Sequence, residues 1–232
     1  MDLIQGATGM ALVVFMWAHL FAVSSILLGK DAMYAVTRFF EGSLFFAQPQ
    51  PWLVSLVALV IFLLFVVHAM LAIRKMPASY RQYSSYLHHM RSVRHEETTL
   101  WLVQVVTGLI LMFFATAHLY EIFMHAGQIG PYASSDRMVS GGTLPLGIVL
   151  LLAVELHAGI GFYRLIIKWG WLGLGDTRAR RRRLRRAIGC LIGFMLLLGF
   201  LTQAAYVQIG LDHREHAGER YRVLVPAVRS EL

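Results

Sequence analysis

Long stretches without a charged residue constrain the fold of this chain more than any other feature. Four of them, residues 3–29, 42–73, 98–120 and 187–211, contain no Asp, Glu, Lys or Arg. A helix needs about 20 apolar residues to cross the hydrocarbon core of a membrane, and each stretch is long enough. Charged residues make up only 15% of the chain, whereas soluble domains contain about 25%. The pattern predicts an all-α integral membrane protein.

Five apolar segments, numbered spans I to V, lie at residues 4–28, 52–73, 98–125, 146–167 and 187–206. Span I is not a signal peptide, because it lacks a basic start and a small-residue cleavage site and its apolar stretch is too long. We therefore expect a five-helix transmembrane bundle. It forms a single membrane domain over residues 1–232, with no internal repeat.

The loops between spans alternate between rich and poor in basic residues. Loops I–II and III–IV contain only Lys30, Arg38 and Arg137. Because basic loops stay in the cytoplasm, we expect a cytoplasmic N-terminus and a periplasmic C-terminus. This orientation explains the net charge of +8 without nucleic acid, and the run from Arg178 to Arg186 serves as a topogenic anchor or contacts anionic lipid or a soluble subunit. The basic residues of the rich loops are Arg74, Lys75, Arg81, Arg91, Arg94, Lys168, Arg178, Arg180, Arg181, Arg182, Arg183, Arg185 and Arg186.

Four consecutive spans each contain one histidine: His19, His68, His118 and His157. A single histidine in a span usually bonds a neighbouring helix, but four in this arrangement suit haem iron, which takes one imidazole from each of two facing helices. Depth along the antiparallel spans gives an outer pair, His19 with His118, and an inner pair, His68 with His157. The sequence has no Cys-x-x-Cys-His, so we expect two stacked b haems rather than covalent haem. The single cysteine, Cys190, leaves any iron–sulfur cluster to a partner chain.

Two carboxylates have unusual positions in this pattern. Glu155 is the only one deep in a span, where a charge is costly, so it is a candidate proton carrier or a protonated carboxyl bonded to a helix. Glu41 lies among Arg38 and several phenylalanines before span II. It is a candidate acceptor for a quinol proton, or an ordinary interfacial charge.

These residues closely resemble the dihaem cytochrome b subunit of menaquinol:fumarate reductases of epsilonproteobacterial and Desulfovibrio type. The resemblance rests on histidine spacings of 49, 50 and 39 residues, on Glu155-Leu156-His157 and on Glu41, and it extends from Gln5 to span V. It implies that His19 and His118 bind the distal haem, and that His68 and His157 bind the proximal haem. It also implies that Glu41 takes part in menaquinol oxidation.

Further roles come from the resemblance alone. Glu155 would belong to a proton pathway, together with a distal-haem propionate. Gln5, Trp101 and Lys168 would contact proximal-haem propionates, and Arg137 would lie near the distal ones. Without the resemblance, Trp101 and Lys168 would be interfacial anchors. The family's serine after the glutamine is replaced by Gly6, so that contact is not expected.

The resemblance implies a membrane anchor in the bacterial inner membrane that oxidises menaquinol. Electrons would pass through two b haems to an iron–sulfur subunit and then to an FAD flavoprotein that reduces fumarate to succinate. The subunits would assemble as a dimer of heterotrimers. The alternatives are a succinate:quinone reductase anchor running in reverse, the cytochrome b of a membrane hydrogenase or formate dehydrogenase, and a haem-free proton-coupled transporter.

Overall fold

The structure is a computed structural model that describes residues 1–76, 79–82, 84–85, 88, 96–171, 173 and 178–223. No strand occurs in these ranges, which confirms the all-α prediction there. Arg91 and Arg94 lie outside the described residues. The helices that position the site are α1 (Asp2–Ser24), α2 (Lys30–Phe40), α3 (Pro51–Ile73), α4 (Glu96–Met124), α5 (Pro131–Val139), α6 (Leu144–Lys168) and α7 (Arg178–Asp212), with short 3-10 helices at Ser25–Leu28 and Arg214–His216.

Helices α1, α3, α4, α6 and α7 are each long and apolar enough to cross a membrane, and they confirm spans I to V. The largest difference is in α7, which begins at Arg178 rather than near residue 187. No Gly or Pro interrupts residues 178–188, and arginine favours helix, so nothing ends the helix within the arginine run. The expectation that these arginines lie in a loop was therefore wrong, because they form the first turns of α7.

Two short helices lie at one end of the bundle, which we call the outer end; the opposite end, with Asp2 and Lys168, is the inner end. Helix α2 lies between spans I and II along the chain, and α5 lies between spans III and IV. Each begins directly after a glycine with positive φ, Gly29 at 117° and Gly130 at 147°. Because other residues rarely adopt this conformation, the two glycines allow the chain to turn sharply into each helix.

Four of the long helices form a closed ring. Helix α1 packs against α3, α3 against α4, α4 against α6, and α6 against α1. Consequently α1 and α4 lie at opposite corners, as do α3 and α6. Helix α7 packs outside the ring, against α6 and α1.

Small residues and polar contacts hold α7 against the ring. A Cβ added to Gly199 would lie 2.5 Å from a methyl carbon of Leu151 on α6, so the two helices approach closely at this glycine. The buried Thr202 hydroxyl donates to Ser24 Oγ at 2.8 Å, and the Tyr206 hydroxyl donates to the Val23 carbonyl at 3.3 Å. These contacts satisfy polar groups that would otherwise face hydrocarbon.

Candidate functional site

The inner histidine pair joins the corners α3 and α6 of the ring. The ring centroids of His68 and His157 are 6.4 Å apart. His157 Nδ1 lies 2.9 Å from the Gln104 carbonyl oxygen and 3.4 Å from Thr107 Oγ1. Because a carbonyl can only accept, Nδ1 carries the proton and Nε2 keeps its lone pair. The imidazole is therefore held in the tautomer that can bind a metal through Nε2.

The outer pair joins the other two corners, α1 and α4. The centroids of His19 and His118 are 6.3 Å apart, and Phe15 stacks on His19 at 5.7 Å. In the part of the chain that the structure describes, no hydrogen bond reaches the ring nitrogens of either histidine. The structure thus brings together the two pairs that the depth of the histidines predicted.

Both pairs have the separation that a shared iron atom requires. An imidazole nitrogen binds a metal at about 2 Å, which puts the centroids of two opposed five-membered rings roughly 6 Å apart. His68, His118 and His157 are half-buried and His19 is exposed, so each ring keeps surface for a bound group. Two imidazoles leave the remaining iron ligands to a macrocycle. The residues present therefore fit two b-type haems.

Glycines lie against the inner pair. A Cβ at Gly9 on α1 would be 2.9 Å from His68 Cε1, and one at Gly108 on α4 would be 3.0 Å from His157 Cε1. Real Cβ atoms essentially never come closer than 3.0 Å. A larger residue at Gly9 would therefore displace the His68 imidazole, and one at Gly108 would require the His157 imidazole to move by a few tenths of an ångström.

Glu155 is fully buried on α6, two residues before His157. Its Oε2 accepts a hydrogen bond from Trp17 Nε1 of α1 at 3.3 Å, whereas Oε1 has no partner within the described residues. The sequence did not identify Trp17, which is 138 residues away along the chain. One neutral donor cannot offset the cost of burying a carboxylate, so this carboxyl group lacks the partners that a buried charge would need.

Glu41 ends α2 and lines a cavity of about 680 Å³ at the outer end. Its buried carboxylate pairs with Arg38 at 3.2 Å. A second ion pair on the cavity wall joins Arg137 Nε to Glu121 Oε1 at 3.3 Å. Neither Arg38 nor Glu121 was identified as functional from sequence. Charged side chains alternate with Tyr, Pro and Gly residues around this cavity, and its volume falls within the range of small-molecule sites.

The tail after α7 closes one side of this cavity. Tyr221 donates a hydrogen bond to Asp31 Oδ1 at 2.5 Å, and this bond raises the pKa of Tyr221 to about 12. His213 stacks on Tyr132 and bonds Asp136 Oδ1 at 3.1 Å. The tail is thereby fixed to α2 and α5, the helices that carry the cavity wall.

The residues expected to contact haem propionates lie at the two ends of the bundle. Gln5, Trp101 and Lys168 lie on α1, α4 and α6 near the inner end. The buried Gln5 Oε1 has no partner among the described residues, and Lys168 Nζ lies 3.9 Å from an Asp2 carboxylate oxygen. Arg137 lies at the outer end, where burial lowers the pKa of its guanidinium and the Glu121 carboxylate opposes that effect. The structure therefore places Gln5, Trp101 and Lys168 at the inner end and Arg137 at the outer end.

Comparison with known proteins indicates the same family that the sequence resembles. Residues 77–200 match the family described as "Succinate dehydrogenase/Fumarate reductase transmembrane subunit". The chain is 44% identical over 216 residues to the fumarate reductase cytochrome b subunit of Helicobacter pylori, covering 93% of this chain and 83% of that protein. It is 43% identical over 215 residues to the subunit of the same name from Wolinella succinogenes, covering 93% and 84%. A succinate dehydrogenase hydrophobic membrane anchor subunit from Archaeoglobus fulgidus is 31% identical over 105 residues, covering 45% of this chain and 82% of that protein.

Proposed function

The chain belongs to the family of succinate dehydrogenase/fumarate reductase transmembrane subunits, and we propose that it is the membrane anchor and electron conduit of a menaquinol:fumarate reductase. Two histidine pairs across the diagonals of one helix ring carry this proposal. They suit a relay through the membrane better than a single binding site. Family membership leaves the hydrogenase or formate dehydrogenase cytochrome and the haem-free transporter without support.

We propose that each histidine pair binds one haem b. His19 and His118 would hold the outer haem, and His68 and His157 the inner haem, both in a multi-pass membrane protein. When bound, the haems supply one-electron carriers between quinol and a partner subunit. The chain itself supplies the axial imidazoles and an apolar surrounding that excludes water.

The outer cavity is the proposed menaquinol site. Oxidation of a quinol releases two electrons and two protons, so the site needs a group that accepts a proton. We assign this role to Glu41, one of the carboxylates on the cavity wall, whose ion pair with Arg38 holds the side chain at the wall. The paired Arg137 and Glu121 give the cavity a second polar wall from which protons reach the outer solution.

Glu155 is the proposed proton carrier through the bundle. An electron that moves inward against an inside-negative potential costs about 2.3 kcal/mol per 100 mV. A proton that moves with it cancels this cost. Glu155 is buried between α6 and α1; its Oε2 accepts the Trp17 hydrogen bond, so the unpartnered Oε1 is the oxygen left to carry a transferable proton.

Further contacts of the proposed haems would come from both ends of the ring. Gln5, Trp101 and Lys168 would contact inner-haem propionates, and Arg137 would lie near the outer ones. A propionate is an anion, and a cation or N–H donor at its edge offsets the loss of water. The cluster of Asp2 with Arg74, Lys75 and Lys168 adds net positive charge at the inner end.

We infer that the inner end faces the cytoplasm of a bacterium, where an iron–sulfur subunit and an FAD flavoprotein would dock. Two electrons and two protons convert fumarate to succinate on the flavoprotein. The arginines at the start of α7 lie at this end, where a soluble subunit or anionic lipid would contact them. We propose a dimer of such heterotrimers in the inner membrane.

A spectroscopic titration of the purified complex tests this function. We expect two b haems per chain by pyridine haemochrome, reduced by a menaquinol analogue and reoxidised on addition of fumarate. His19→Ala and His118→Ala should lose the same haem, and His68→Ala and His157→Ala the other. His216→Ala, an exposed histidine outside the ring, is the matched control.

Each outcome of this titration separates the alternatives. A complex without haem would refute the conduit, and haems that stay reduced after fumarate is added would point to another partner enzyme. The reverse reaction, succinate oxidation, is the second candidate, favoured by the name of the Archaeoglobus relative. Faster reduction of quinone by succinate than of fumarate by menaquinol would select it.

A further inference from the structure

Helices α1 and α4 share a sequence pattern that becomes evident once their contacts are compared. Gln5, Thr8 and Gly9 in α1 have identical counterparts 99 residues later in α4, and so do Ala18, His19 and Leu20. In all, nine of the eighteen positions from Leu3 to Leu20 are identical to their counterparts. The expectation of no internal repeat was therefore wrong. The counterparts in α4 are Gln104, Thr107, Gly108, Ala117, His118 and Leu119.

The repeated residues surround the inner histidines in the same way. We call Gln5, Thr8 and Gly9 the first cradle, and Gln104, Thr107 and Gly108 the second cradle. Thr8 Oγ1 lies 3.3 Å from His68 Nδ1, and the backbone of Gln5 interacts with the same ring. In the second cradle, Thr107 Oγ1 lies 3.4 Å and the Gln104 carbonyl oxygen 2.9 Å from His157 Nδ1. Each cradle thus places one threonine hydroxyl, one glutamine backbone and one glycine beside the histidine of the neighbouring helix.

The threonine hydroxyls are oriented to accept from the imidazoles. Thr8 donates its own hydrogen to the Ile4 carbonyl at 2.8 Å, and Thr107 donates to the Val103 carbonyl at 2.7 Å. With their hydrogens engaged, both oxygens turn lone pairs toward the Nδ1–H groups. A second bond partner at Nδ1 fixes the tautomer and orientation of a metal-binding histidine and makes it a stronger electron donor.

We propose that Thr8 and Thr107 are positioning residues that, with Gly9 and Gly108, orient the two inner imidazoles and lower the redox potential of the haem they hold. This inference rests on the proposed haem ligation. The outer pair has no such cradle, because the ring nitrogens of His19 and His118 lack hydrogen-bond partners in the described ranges. The repeat therefore places the same imidazole support on both sides of the inner site only.

Substitution of the threonines tests the proposal in the purified complex. Thr8→Val and Thr107→Val keep the shape of the side chain but remove the acceptor. We expect both variants to transfer one haem to apomyoglobin about tenfold faster than the wild type. The midpoint potential of that haem should rise, and its low-spin electron paramagnetic resonance signal should shift.

Matched variants separate the effect of the threonine hydroxyl from the effect of side-chain shape. Thr8→Ser and Thr107→Ser keep the hydroxyl and should behave as the wild type does. Thr116→Val removes a hydroxyl that donates only to the Met112 carbonyl on the same helix, so it should leave both haems unchanged. Equal shifts in the Val and Ser variants, or Val variants that match Thr116→Val, would overturn the proposal.

The glycines give a second, independent measurement. Gly9→Ala should yield about one haem per chain and Gly108→Ala should shift the signals of the inner haem, whereas Gly189→Ala, whose added Cβ meets nothing within 4 Å, should retain two haems with wild-type signals. Two haems with wild-type signals in Gly108→Ala would overturn the role of the cradle. A wild-type complex without any haem would overturn the proposed function as well, so the two failures are distinguishable.

Discussion

Replacement of Glu155 by glutamine is the sharpest test of proton movement through the bundle. The glutamine side chain has the same size and would still accept the hydrogen bond from Trp17, so the free energy of unfolding should change by no more than about 1 kcal/mol. The substitution removes only the ability to gain and lose a proton. Loss of a group that transfers protons slows a reaction by about 10²–10⁴-fold. We therefore expect Glu155→Gln to reduce fumarate from menaquinol at least about 100-fold more slowly.

Two assays on the same preparation isolate this effect. Fumarate reduction by a menaquinol analogue requires the whole path, whereas reduction by an artificial donor to the partner subunits bypasses the membrane. In Glu155→Gln, the rate from the menaquinol analogue should fall and the rate from the artificial donor should stay unchanged. Both haems should still be present by pyridine haemochrome. Glu215→Gln, an exposed carboxylate in the short helix after α7, is the matched control and should leave both rates unchanged.

The contact between Glu155 and Trp17 sharpens the test further. Trp17→Phe keeps an aromatic ring but removes the Nε1–H, a bond worth about 1 kcal/mol, so quinol-driven turnover should change only several-fold. In the Glu155→Gln variant, the additional change Trp17→Phe should have no further effect on turnover, because the glutamine can no longer gain or lose a proton. Normal turnover of Glu155→Gln with both haems bound would refute the proton pathway.

Other predictions follow from the outer cavity and from the packing of α7. Glu41→Gln should abolish menaquinol oxidation while fumarate reduction from artificial donors continues; unchanged menaquinol kinetics would contradict the cavity assignment. Gly199→Ala should lower the thermal midpoint of the detergent-purified complex, because its Cβ would meet Leu151 at 2.5 Å and overpacking costs about 1–3 kcal/mol. Gly193→Ala has no neighbour within 4 Å and should leave that midpoint unchanged, and equal midpoints for the two variants would contradict the packing described.

The spans and histidine pairs were predictable because a membrane simplifies the problem. Stretches without charge show where helices cross the membrane. Because successive helices run in opposite directions, the position of a residue along its helix then gives its depth in the membrane. His19 and His118 fall at one depth and His68 and His157 at another, which leaves few ways to pair them. Pro51 at the first turn of α3 likewise marks a helix start that the sequence indicates directly.

Other features depend on contacts that no local pattern encodes. Residues 131–139 of α5 mix small and polar side chains and have no apolar face long enough to indicate a helix. The bond from Trp17 to Glu155 depends on how α1 and α6 pack. The repeat of α1 in α4 was missed because an apolar pattern treats Gln5 and Thr8 as minor interruptions. Only their shared contacts with the imidazoles show that these interruptions are the informative residues.

Unpartnered polar atoms inside the ring indicate where bound groups and water would interact with the chain. Buried polar atoms are nearly always hydrogen-bonded, so each exception requires a physical reason. In the part of the chain that the structure describes, Gln5 Oε1 and Glu155 Oε1 are exceptions on ring helices. The Gln5 amide can turn its NH₂ toward an anion at the inner end. A protonated Glu155 needs an acceptor for its hydrogen. The first requirement matches a propionate and the second a proton route, so the same two atoms support haem binding and charge compensation within one bundle.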